Sequence, residues 1–143
     1  MNKPKAILLI EDERSDQMLF ERAIRHIENA TIYGIANNGQ EALDKLSGAT
    51  HLPDIIFTDI NMPVMDGIKC LRHLANMPLT KNIPVIILST DTAKSAVVQE
   101  LGAKAFIKKP ADIDLLREKI EHIINLDAWQ PGSEFTQTGF LAY

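Results

Sequence analysis

Four short stretches of this chain are apolar at almost every position: Ala6-Ile7-Leu8-Leu9-Ile10, Ile55-Ile56-Phe57-Thr58, Val85-Ile86-Ile87-Leu88 and Ala105-Phe106-Ile107-Lys108. Successive side chains of a strand point to opposite faces, so a run apolar throughout needs cover on both sides. A helix cannot be built from so few residues, and a membrane span needs about 20. A fifth run, Thr31-Ile32-Tyr33-Gly34-Ile35, is rich in β-branched residues and reads as another strand.

The cover lies between the runs. Phe20, Ala23, Ile24 and Ile27 recur at helical spacing. Ala42, Leu43 and Leu46 form a short helical stripe after the turn Asn37-Asn38-Gly39, and Ile68, Leu71, Leu74 and Ala75 form another. Ala93, Ala96, Val97 and Leu101 predict a helix capped by Thr90 or Asp91 and stopped by Gly102. Ile113, Leu116, Ile120 and Ile123 predict a last one capped by Asp112. Five strands alternating with five helices give an α/β fold, a doubly wound parallel sheet with helices on both faces.

The 143 residues fit one domain. Hydrophobic residues at 45% exclude a disordered chain, and the single Cys70 excludes a disulfide scaffold. A net charge of −4 speaks against a DNA partner, and no apolar run suggests a membrane partner. The basic start lacks a signal-peptide core, so the expected setting is cytoplasmic.

In a parallel sheet, ligands bind beyond the carboxyl ends of the strands. Glu11-Asp12-Glu13 follow the first strand, Asp59 the third, Ser89-Thr90 the fourth and Lys109 the fifth. Taken singly, these are a solvated turn, a strand-end acid, a cap and a surface ion pair. Together, clustered carboxylates repel one another until a proton or a cation arrives. Hard oxygen ligands suit Mg²⁺. A cation site, a carboxylate nucleophile, a hydroxyl and an ammonium form a phosphoryl-transfer set, in which an Asp can become an acyl phosphate. His26, His51, His73 and His122 show no metal-ligand spacing. Glu13 reads as solvated, Met62 and Met65 as loop packing, and Cys70 as a small filler.

Over about residues 5–126 the chain resembles the receiver domain of two-component response regulators, the single-domain, CheY-like kind. The resemblance rests on Leu8-Leu9-Ile10-Glu11-Asp12, on the run from Pro53 to Pro63 around Asp59, on Met65-Asp66-Gly67, on Pro84 to Ser89, on Gly102-Ala103 and on Lys109-Pro110. It implies a flavodoxin-like sheet of strand order 2-1-3-4-5. It implies that Asp59 is the phosphoacceptor, and that Glu11, Asp12, Asp59 and the Asn61 backbone carbonyl hold Mg²⁺ or Mn²⁺. Ser89 and Lys109 would bond the phosphoryl group. Ser89 and Phe106 would form the switch, with Phe106 turning inward on phosphorylation, and the Lys109-Pro110 bond would be cis. The implied partners are a sensor histidine kinase and either a histidine phosphotransfer protein or a downstream target protein.

The competing classes fit less well. A haloacid-dehalogenase-type enzyme places its Asp nucleophile after the first strand, and a flavin module needs a donor-rich loop where Glu11-Asp12-Glu13 would repel phosphate. A receiver used only as a scaffold would not have every functional position filled. The expected organisation is a receiver over 1–126 with a tail over 127–143 and no output domain: a phosphoacceptor switch catalysing only its own phosphorylation and dephosphorylation. The long connection from Leu71 to Ile83 also resembles receivers partnered with phytochrome-type kinases. The tail carries Trp129, Phe135, Phe140 and Tyr143, so it is expected to pack on its own domain or on a second copy in a homodimer.

Overall fold

The computed structural model describes residues 3–126 and 141–142. The order of elements is β1 (Lys5–Ile10), α1 (Arg14–Arg25), β2 (Ala30–Ala36), α2 (Gly39–Ser47), β3 (Ile55–Thr58), α3 (Gly67–Asn76), β4 (Val85–Ser89), a 3-10 turn (Thr92–Lys94) leading into α4 (Ser95–Glu100), β5 (Ala105–Lys108), α5 (Ile113–Ile124) and β6 (Leu141–Ala142). The sheet runs β2-β1-β3-β4-β5-β6 with every pairing parallel. The expected order 2-1-3-4-5 is therefore present, extended at one edge by two residues of the tail.

The apolar runs divide by strand alternation. Ile7, Leu9, Ile55, Phe57, Ile86, Leu88, Ala105 and Ile107 face one layer with Phe20, Ile24, Leu116 and Ile120 from α1 and α5. Leu8, Ile10, Ile56, Val85, Ile87 and Phe106 face the other with Ala42, Leu46, Leu71, Leu74 and Val98 from α2, α3 and α4. Phe20 and Phe57 meet edge to face at 5.3 Å between ring centres, fixing α1 over the sheet.

Helix starts follow the expected chemistry. Asn38, Asp66 and Asp112 each accept a hydrogen bond from a backbone N–H of the turn that follows. The segment after β4 differs. Asp91 makes no side-chain cap, the first turn is 3-10, and Val98 is buried while Val97 is exposed. The 3-10 turn advances side chains faster than 3.6 residues per turn, which rotates the stripe expected from Ala93, Ala96 and Val97.

Trp129, Phe135, Phe140 and Tyr143 lie outside the described residues. Of the tail, Leu141 and Ala142 are described and pair with β5, Leu141 opposite Ala105 and Ala142 opposite Phe106. Ending the chain after Leu126 should therefore lower unfolding free energy by about 1–2 kcal/mol, the scale of a few net hydrogen bonds. A urea midpoint equal to that of the full chain would show that the pairing adds nothing.

Candidate functional site

Parallel strands all point the same way, so the residues that follow β1, β3, β4 and β5 share one rim. Backbone bonds lock their heights: the Glu11 N–H donates to Ala36 O (2.9 Å), Asp59 N–H to Ile10 O (3.0 Å) and Lys109 N–H to Ser89 O (3.0 Å). The acids after β1 and β3 and the lysine after β5 consequently meet side chain to side chain.

Lys109 Nζ stands at the centre. It lies 2.7 Å from Glu11 Oε1, 2.8 Å from Asp16 Oδ2 and 2.9 Å from Asp59 Oδ2. An ammonium has three donors, so three carboxylates use all of them. Burial works against the charge, but Asp16, Glu11 and Asp59 outweigh it and push the Lys109 pKa above its ordinary value. Glu11 is only 2% exposed; burial raises its pKa, and the Lys109 hydrogen bond and the Glu13 N–H offset only part of the rise.

Carboxylate oxygens of Glu11, Asp12 and Asp59 lie within 4.8 Å of one another. This all-oxygen donor set, with Asp12 exposed, fits a hard divalent cation that keeps several waters. Asn61, expected to contribute its backbone carbonyl, uses its side-chain amide to donate to Asp91 Oδ2 at 3.2 Å, tying the loop after β3 to the loop after β4. Ser89 is buried, and its Oγ accepts the Asp91 N–H at 3.1 Å. Glu13 is exposed, while Met62, Met65 and Cys70 are buried packing.

The loop after Asp59 is tightly determined. Gly67 N–H donates to Ile60 O at 2.7 Å, and a side chain at Gly67 would overlap the Asp59 carbonyl oxygen. The Met65 N–H donates back to Pro63 O at 2.8 Å around Val64, a β-branched residue at φ 66° and 82% exposed. Such a conformation costs of order 1–3 kcal/mol and persists only where the surroundings hold it.

One expectation is corrected. The Lys109-Pro110 bond is trans, the generally preferred isomer before proline, and Lys109 reaches the acids without a cis bond. Phe106 is 3% exposed and packs in the layer of Ile87, Val98 and Ala103. Its apolar ring is favoured there before any charge is added.

Two residues of the site escaped the sequence reading. Asp16 lies one helical turn beyond Asp12, in the first turn of α1. Gln17 is buried and donates through Nε2 to Glu11 O (2.6 Å) and Asn37 Oδ1 (2.8 Å), bracing the ends of β1 and β2. A search one helical turn past each strand-end acid would have found both.

Comparison with known proteins gives the family. Residues 7–121 match the response regulator receiver domain, so the chain belongs to that family, the phosphoacceptor module of two-component signalling. It is 38% identical over 121 residues to a protein-glutamate methylesterase/protein-glutamine glutaminase of Moorella thermoacetica, covering 81% of this chain and 27% of that protein. The chain thus spans about a quarter of that relative's length. Among solved structures, the phosphorylated cyanobacterial phytochrome response regulator RcpA superposes with TM-score 0.77 at 26% identity, covering 91% of this chain and 96% of that one. The Mn²⁺-bound response regulator Rcp1 gives TM-score 0.74 at 25% identity, covering 91% and 97%. Receiver domains take phosphoryl groups from histidine kinases, bind Mg²⁺ or Mn²⁺, and act through contacts with other proteins. Among the described residues no helix is long and apolar enough to cross a membrane.

Three outcomes follow from the charge arrangement. Lys109→Gln in metal-free buffer leaves three carboxylates without their ammonium and should cost about 2–4 kcal/mol in urea unfolding; wild-type stability in this variant would show the ion cluster to be energetically idle. Mg²⁺ should stabilise the wild type by about 1.4 kcal/mol at ten times its dissociation constant, and Asp12→Ala should remove most of that gain in a thermal melt. The folded state keeps the Glu11 proton to a higher pH than the unfolded chain does. Its contribution therefore makes metal-free stability fall as pH rises from the ordinary carboxylate value through the raised one, and level off above. A Glu11→Gln variant with the same pH slope would refute that assignment.

Proposed function

We propose that this chain is a phosphoacceptor switch in which Asp59 receives the phosphoryl group of a phosphohistidine on a sensor histidine kinase. An Asp59 carboxylate oxygen forms the bond to phosphorus, the phosphorus–nitrogen bond breaks, and its electron pair returns to the imidazole, which takes up a proton. The observation that carries this reading is the Asp59 carboxylate held 2.9 Å from Lys109 Nζ beside Glu11 and Asp12.

In this reading Glu11, Asp12, Asp59 and the Asn61 backbone carbonyl would hold Mg²⁺, which when bound would supply charge neutralisation for the transferring group. Lys109 and the Ser89 hydroxyl bond the phosphoryl oxygens. The modification adds about −1.5 to −2 charges, drawing Lys109 from its carboxylates and the Ser89 hydroxyl from its bond to Asp91. The Lys109 N–H to Ser89 O bond and the Asn61–Asp91 bond tie those movements together. The surface formed by α4 and β5 would carry the change to a target protein or a histidine phosphotransfer protein, with Phe106 adjusting from its buried seat.

Residues 1–126 form the receiver and 127–143 a tail in this reading, and the chain catalyses only its own phosphorylation and dephosphorylation, in the cytoplasm. An aspartyl hydrolase of the haloacid-dehalogenase type is disfavoured because Asp59 follows β3 rather than β1.

Incubation with phosphoramidate and Mg²⁺, followed by mass-spectrometric mapping, should place one phosphoryl group on Asp59. Asp59→Asn should take up none; full labelling of that variant would put the acceptor elsewhere. Ser89→Ala should still be phosphorylated but should lose the phosphorylation-dependent change in amide hydrogen exchange across α4. A normal exchange response would reduce Ser89 to a cap.

A further inference from the structure

Lys109 is held by three acids, and they are not equivalent. Glu11 and Asp59 belong to the carboxylate cluster that suits a divalent cation, and Asp16 does not. A cation on that cluster competes for the same Glu11 and Asp59 oxygens that Lys109 holds. Asp16 is then the carboxylate that keeps the ammonium at the rim. It is well placed for this: it sits in the first turn of α1, where the helix dipole favours an acid, and its side chain is 34% exposed against 14% for Lys109.

We propose that Asp16 is a positioning residue that draws Lys109 aside when the cation occupies Glu11, Asp12 and Asp59, and that competes with the phosphoryl group for the same ammonium. The proposal rests on the phosphoacceptor reading of Asp59. It predicts a charge-neutral amide at this position to have two opposite effects. Without Asp16, Lys109 rests wholly on Glu11 and Asp59, so cation binding weakens. The ammonium is also released more readily to a phosphoryl group, so binding of a phosphoryl mimic tightens.

The test is a double-mutant cycle on the full chain with Asp16→Asn and Lys109→Gln. Mg²⁺ affinity is measured by calorimetry in all four proteins, and beryllofluoride affinity at saturating Mg²⁺ in the wild type and Asp16→Asn. Asp16→Asn should weaken Mg²⁺ binding about threefold when Lys109 is present and leave it within about 1.5-fold in the Lys109→Gln background. It should tighten beryllofluoride binding about threefold. Equal effects on Mg²⁺ in both backgrounds would show plain through-space charge and overturn the proposal, as would unchanged or weaker beryllofluoride binding. Asp16→Ser, which keeps a good helix-start residue, repeats the cycle if the amide disturbs folding. If the wild type itself fails to bind beryllofluoride with Mg²⁺, the phosphoacceptor reading falls, and the Mg²⁺ cycle alone decides for or against Asp16.

Discussion

The demand that every central strand be covered on both faces governs this molecule. It forces the crossovers to be helical and the strands parallel, and parallel strands bring their carboxyl ends to one rim. Glu11, Asp59, Ser89 and Lys109 meet there because Ile7 to Ile10, Ile55 to Thr58, Val85 to Ser89 and Ala105 to Ile107 are buried in register. The chemistry of the site is a by-product of how the core is wrapped, with the hydrogen bonds at the strand ends setting each side chain's height.

At that rim the balance of charge is poised rather than relaxed. One ammonium serves three carboxylates, and Glu11 is buried enough that its charge is costly even with Lys109 attached. Any added cation or anion therefore redistributes existing bonds. The strained turn at Val64 and the close seat of Gly67 against Asp59 keep the loop from relaxing around the change. The Asn61–Asp91 bond ties this loop to the one that leads into α4.

Most of the fold was readable because long-range burial wrote itself into short apolar runs and helical stripes. The acids, Ser89 and Lys109 were readable because each directly follows such a run. The misses have specific causes. Asp16 lies inside a helix, one turn beyond the strand end, where spacing alone marks it as surface. The register of α4 was lost because a 3-10 turn precedes a helix of only six residues. Two residues of β6 are too few to show periodicity.

The order of the strands also bears on how the chain assembles. Ile7 pairs with Ile55 and Ile10 with Thr58, and that pairing brings the acids after β1 and β3 together. Lys109 lies far later in the chain. In the assembled sheet the counterion of the β1–β3 acids comes from β5, across β4. The two halves of the sheet are thereby coupled electrostatically as well as by their cores. A divalent cation on Glu11, Asp12 and Asp59 would neutralise the same acids from the β1–β3 side, and so lessen their dependence on the far half of the sheet.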